Sequence, residues 1–236
     1  KGNVTFKADS AILNAAGEVV TVNVNGEDIK GIYNTGDIYA VEGDVTFETI
    51  NGDIYNDDTL TSDSVTYSNG NITMNAIKGE IVNTKALVAT KDIWMGSWSD
   101  IYNLVDSDTA TTGTSVMRGL TAQNGNITLI SYGATENGFE GLIVNKGTLT
   151  VTNGDLTVRA YGSKKISDVI PSLVWEEGTP MKDDPEINYS FLNDKEGNIQ
   201  VTNGEVKIST IQSVITFGDM EAEKGVTDER LPKCIT

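Results

Sequence analysis

Along most of this chain apolar and polar residues alternate singly over stretches of about five residues, and most stretches open on a glycine. In GTLTVTN, Leu149 and Val151 fall on one side while Thr148, Thr150 and Thr152 fall on the other. In GDLTVRA, Leu156, Val158 and Ala160 alternate with polar neighbours in the same way. This is the period of half-buried β-strands, each too short to run far before the chain must turn. The phrase appears at Gly2 (GNVTF), Gly17 (GEVVTV) and Gly26, then at Gly36 (GDIYA), Gly43 (GDVTF), Gly52 (GDIYN), Gly70 (GNITM) and Gly79 (GEIVN). A glycine-free version stands at Lys91 (KDIWM), so the first 95 residues read as one uninterrupted array. Taken in threes, as Gly36, Gly43 and Gly52, the phrases make a unit of roughly 20 residues, the length of one coil of a solenoid with three strands and three corners.

The alternation fails twice. From Gly96 to Gly119 the segment GSWSDIYNLVDSDTATTGTSVMRG reads as a loop, with Trp98, Ile101, Tyr102, Leu104 and Val105 placed to form a short helical turn against the array. From Gly162 to Glu196 a longer break carries Pro171, Pro180, Pro185 and Trp175. After Phe217 the residues are charged and aperiodic and read as a frayed end. The expected fold is all-β: a right-handed parallel β-helix, or β-solenoid, as one domain over 1–236, with insertions at 96–119 and 162–196 and an irregular tail at 218–236.

A β-sandwich of hairpins is the alternative. Asn-Gly occurs at Asn25, Asn51, Asn69, Asn124, Asn137, Asn153 and Asn203, and TLTVT-NG-DLTVR would close a hairpin that pairs Val151 with Leu156. Against it, every strand repeats the motif in the same polarity, glycine first and apolar pair after, and no long Greek-key crossover is present.

The charge narrows the function. A formal net charge of −17 opposes binding to nucleic acid or to an anionic membrane surface, and no apolar run reaches the roughly 18–20 residues that span a bilayer. Without histidine, and with Cys234 as the one cysteine, the commonest general base, the commonest zinc ligand and any internal disulfide are missing. No cofactor, metal site or catalytic residue is expected. Asp106-Ser107-Asp108 begins like a calcium loop but has Thr111 in place of the glycine and Met117 in place of the closing glutamate.

GDIYAVEGDVTF, NGNITMNAIKGEIVN, KALVATKDIWM, NGNITLISYG and KGTLTVTNGDLTVRA resemble the repeats of filamentous-haemagglutinin-type proteins, the secreted partners of two-partner secretion systems, and of related autotransporter shafts. The family's amino-terminal secretion motifs are not found. The resemblance implies a right-handed parallel β-helix serving as the non-catalytic shaft of a secreted or surface-bound bacterial adhesin. Its implied partner is a protein or glycan on a host or bacterial surface.

Two other classes remain open. A polysaccharide-degrading β-helix would use carboxylates in rows, for which Asp37, Asp44, Asp53, Asp155 and Glu205 are the outward candidates; Arg118 and Arg159 are the only arginines before the tail. A filament could form by end-to-end self-assembly through unpaired end coils. The candidate ligand-binding residues are Trp98, Tyr102 and Trp175, because aromatic faces in or beside loops suit stacking on sugars or packing on a protein. The competing reading is that each tryptophan pins its loop to the array.

Overall fold

The structure, a computed structural model, describes residues 2–8, 12–13, 19–20, 22–24, 27–29, 31–56, 65–104, 119–133, 141–165 and 188–230. Its strands wind into a right-handed parallel β-helix with three faces. Sheet one stacks Val4–Ala8, Val45–Thr49, Ile72–Ala76, Ile93–Ser97, Ile127–Ser131, Leu156–Ala160, Val206–Thr210 and Val226–Arg230. Sheet two stacks Gly31–Asn34, Asp53–Asn56, Ile81–Asn83, Ile101–Asn103, Ile143–Asn145, Asn188–Asn193 and Ser213–Thr216. Sheet three stacks Ile38–Ala40, Val65–Ser68, Ala86–Ala89, Gly119–Ala122, Thr148–Val151, Asn198–Val201 and Asp219–Ala222. The chain visits the sheets in this order, and the 7 strands of sheet three mark seven coils. At one strand spacing per coil the described rod is roughly 30 Å long.

Like stacks on like because the register is in phase from coil to coil. Ile54, Ile81, Ile101 and Ile143 form one inward column, continued by Phe191; Leu87, Leu120, Leu149 and Ile199 form another. All of these are essentially inaccessible to solvent. Burying each such side chain is worth about 1.5–3 kcal/mol, which makes the columns the main stabilising element.

The hairpin alternative fails at the place where the sequence wrote it best. Val151 pairs in parallel with Ala122 and Val201 in sheet three, and Leu156 pairs with Ile127 and Val206 in sheet one. Asn153-Gly154 therefore turns a corner between two sheets. Antiparallel pairing occurs instead near the start, between Ile12–Leu13 and Val19–Val20 and between Val22–Val24 and Glu27–Ile29, and at the second excursion, where Lys164–Lys165 pairs with Asn188–Tyr189 at the end of sheet two. The array is thus interrupted between Ala8 and Gly31, where an unbroken run was expected; GEVVTV alternates, but its valines pair locally.

The other boundaries also shift. Ile93–Ser97 and Ile101–Asn103 are strands of sheets one and two, so the first excursion leaves after Asn103 rather than at Gly96. No helical turn forms at Ile101–Asn103, which is extended and pairs on both sides. The second excursion closes before Asn188, since Asn188–Asn193 pairs with Ile143–Asn145. The expected tail contributes Asp219–Ala222 and Val226–Arg230 to sheets three and one. All of these segments put polar residues at buried or edge positions, and a hydrophobic pattern misreads such residues as loop. Ser97, Asn103 and Asn193 are buried and hydrogen-bonded.

The first and last described coils differ. At the first coil Phe6 stacks on Phe47, with ring centroids 5.2 Å apart. At the last, Asp228 follows Ile208 and Arg230 follows Thr210 in the inward columns.

Candidate functional site

Sheet one ends, coil after coil, on a small buried residue: Thr49, Ala76, Ser97, Ser131, Ala160, Thr210. Several of these hydroxyls turn the corner themselves. Ser97 Oγ donates to the Gly79 carbonyl and accepts the Ser99 N–H at 3.0 Å, and Ser131 Oγ donates to the Ser99 carbonyl. With the small side chain turned inward, the next residue must point out. Those next residues are Ile50, Ile77, Trp98, Tyr132, Tyr161 and Ile211. Their backbone N–H groups keep the ladder in register, Trp98 donating to Ala76, Tyr132 to Ser97 and Tyr161 to Ser131 at 2.8–3.3 Å.

The result is a single-file apolar ridge parallel to the rod axis, with three aromatic residues in successive coils. Trp98 is 49% exposed, Tyr132 45% and Ile50 46%. Tyr132 and Tyr161 lie with ring centroids 6.3 Å apart and planes within 7°. Directly beyond them the backbones of Gly133, Gly141 and Gly162 converge, Gly162 donating to the Gly141 carbonyl at 3.0 Å. Gly133 (φ 64°) and Gly141 (φ 65°) are in the left-handed region, and a Cβ on Gly141 would overlap Gly133. This close approach holds the two tyrosine-bearing corners side by side.

Of the three residues expected to bind ligand, Trp98 stands at the centre of the ridge. Tyr102 belongs to a different row, on the outer side of sheet two, in register between Val82 and Val144. It packs against the cluster of Leu142, Val144, Tyr189, Leu192 and Ile215, and its hydroxyl donates to Asp100 Oδ2 at 2.9 Å. Burial, and then the charge of Asp100, push that phenol's pKa well above its ordinary value, so it stays a neutral hydrogen-bond donor. Trp175 lies outside the described residues. Trp94 is half-buried on the outer face of sheet one and lies over Gly96, where a Cβ would overlap its ring. The pattern reading missed Tyr132, Tyr161 and Ile50. Their signal was present as an apolar residue after each sheet-one strand from Val45–Thr49 to Val206–Thr210, but it shows only once the coils are in register.

The outward carboxylates have partners. Asp44 Oδ1 accepts both the backbone N–H of Asn71 at 2.7 Å and its Nδ2 at 3.1 Å. Asp92 does the same for Asn126, and Asp155 Oδ1 accepts the Glu205 N–H at 3.1 Å. Asp37 accepts from Val65 N–H and Asp53 from Glu80 N–H at 2.8 and 2.9 Å. One coil's side chain thus caps the next coil's backbone. Among the described residues no group of three or more His, Cys, Asp or Glu side chains is arranged to hold a metal ion. No family model, curated protein or solved structure matches the chain.

Proposed function

We propose that this chain is a non-catalytic shaft segment of a secreted bacterial surface adhesin of the filamentous-haemagglutinin type, and that its contact with a cell surface runs along the Ile50–Ile211 ridge. The observation that carries the reading is the ridge itself: aromatic residues in three successive coils, presented on the corner of a rigid rod whose coils are locked in register. A rigid scaffold that holds side chains at fixed spacing loses little entropy when a surface docks on them. The rows of carboxylates, which a glycan-cleaving relative would use for chemistry, serve here to tie coil to coil. That engagement favours the adhesive reading over the hydrolytic one.

The test is attachment. Beads coated with the chain are washed over bacterial and epithelial cell layers, beside beads carrying Trp98→Ala/Tyr132→Ala. Retention of the first and loss of the second is the expected result. Equal retention of the two, or no retention of either, overturns the proposal.

A further inference from the structure

The ridge is one residue wide. A stable protein–protein contact buries about 800 Å² per partner around a broad apolar centre, and a single file of side chains on a convex corner offers no such centre. Its aromatic stretch, Trp98, Tyr132 and Tyr161, advances by one coil per residue, so successive rings stand roughly 5 Å apart along the axis. On the sheet-one side the next outward row is Gly96, Ile130 and Arg159, two residues before each ridge residue, with the ring of Trp94 lying over Gly96 in the coil of Trp98. That border supplies an apolar shelf and one guanidinium, without a carboxylate.

Such a surface matches a thin linear ligand that repeats apolar faces and polar edges at short intervals. A pyranose ring has this character, with a C–H face that stacks on an aromatic ring and hydroxyls at its rim. The net charge of −17 repels acidic polymers over the rod as a whole. We infer that the Trp98–Tyr132–Tyr161 ridge binds a neutral linear polysaccharide lying along the rod axis, its sugar rings stacked on the aromatic side chains and hydroxyls on the sheet-one side met by Arg159. This names the ligand class for the adhesive surface proposed above and rests on that reading for its biological meaning, though not for the binding itself.

Affinity electrophoresis tests it. The chain is run through native gels containing hydroxyethyl cellulose, laminarin, mannan or, as the acidic comparison, polygalacturonate. Retardation by at least one neutral polymer is expected, with at least a tenfold weaker apparent affinity in Trp98→Ala and in Tyr132→Ala. Tyr39→Ala, which removes an aromatic residue 59% exposed on sheet three, leaves retardation unchanged. Thermal unfolding of each variant checks that the coil is intact. Retardation by none of the neutral polymers, by polygalacturonate alone, or equally in wild type and ridge variants overturns the inference.

The two proposals fail separately. Cell attachment that depends on the ridge without any polymer binding leaves an adhesin with a non-glycan partner. Polymer binding lost in the ridge variants, but with no attachment to cells, leaves the glycan site and removes the adhesive role.

Discussion

Asn103 Nδ2 donates to Asn145 Oδ1 at 2.8 Å, inside the rod and shielded from water. The bond is one rung of a ladder in which Asn34, Asn56, Asn83, Asn103 and Asn145 each pass a carboxamide hydrogen to the asparagine of the next coil, as far as Asn193, at 2.7–3.0 Å. It ends where Asn193 Nδ2 donates to the Asp219 carbonyl at 3.3 Å. A carboxamide is well suited to this place, since it carries a donor and an acceptor at once and so repeats without limit. Replacing Asn103 by Leu removes both, leaving the Asn145 oxygen without its donor. Asn103→Leu is expected to lower stability by about 1–3 kcal/mol, read from the urea unfolding midpoint.

One corner carboxylate, Asp155, sets a pH dependence. Asp155 has its pKa held below the ordinary carboxylate value, first by the Glu205 backbone N–H and then by Lys207, whose Nζ lies 3.0 Å from Oδ2. A depressed folded-state pKa contributes stability that is present above the unfolded value of about 3.9 and is lost as pH falls through the lower folded value. Wild type is therefore expected to lose stability on acidification below about pH 4. Asp155→Asn keeps an acceptor oxygen and is expected to lose less over the same interval. Stability measured at a series of pH values, for both proteins, checks the sign; parallel curves refute it.

The last strand bears on association. Asp228 and Arg230 occupy the columns filled one coil earlier by Ile208 and Thr210, so a further strand laid on Val226–Arg230 would bury charge. Asp228→Val with Arg230→Ala leaves that edge apolar, next to Val226, which is 49% exposed. Light scattering is expected to show concentration-dependent self-association for this double variant and none for wild type.

Ridge and scaffold separate energetically. Trp98 is half exposed, so Trp98→Ala is expected to cost clearly less than the roughly 3–5 kcal/mol of truncating a fully buried aromatic residue. Gly141→Ala, at φ 65° with its Cβ position filled by Gly133, is expected to cost about 1 kcal/mol or more. Urea unfolding of the two variants side by side makes the comparison. A loss in Trp98→Ala as large as that of a fully buried aromatic residue would mean that the tryptophan serves the fold.

Strand period, coil length and the parallel sense of winding are all legible in the chain, because alternation and motif polarity are local properties that each phrase carries on its own. The strand-ending asparagines of GIYN, DIYN, IVN, IYN, IVN and FLN are not singled out by the alternation, and their column becomes visible only once those strands are stacked. What only the tertiary structure decided is register across excursions of unequal length. Excursions separate Trp98 from Tyr132 and widen the interval to Tyr161, so no sequence period aligns them, yet Ser97, Ser131 and Ala160 pair directly and bring the three rings into line. The physical reason is that a solenoid's hydrogen bonds run between coils. They fix which residues are neighbours whatever length of chain lies between, and they satisfy buried Asn and Ser side chains that a hydrophobicity pattern places in loops.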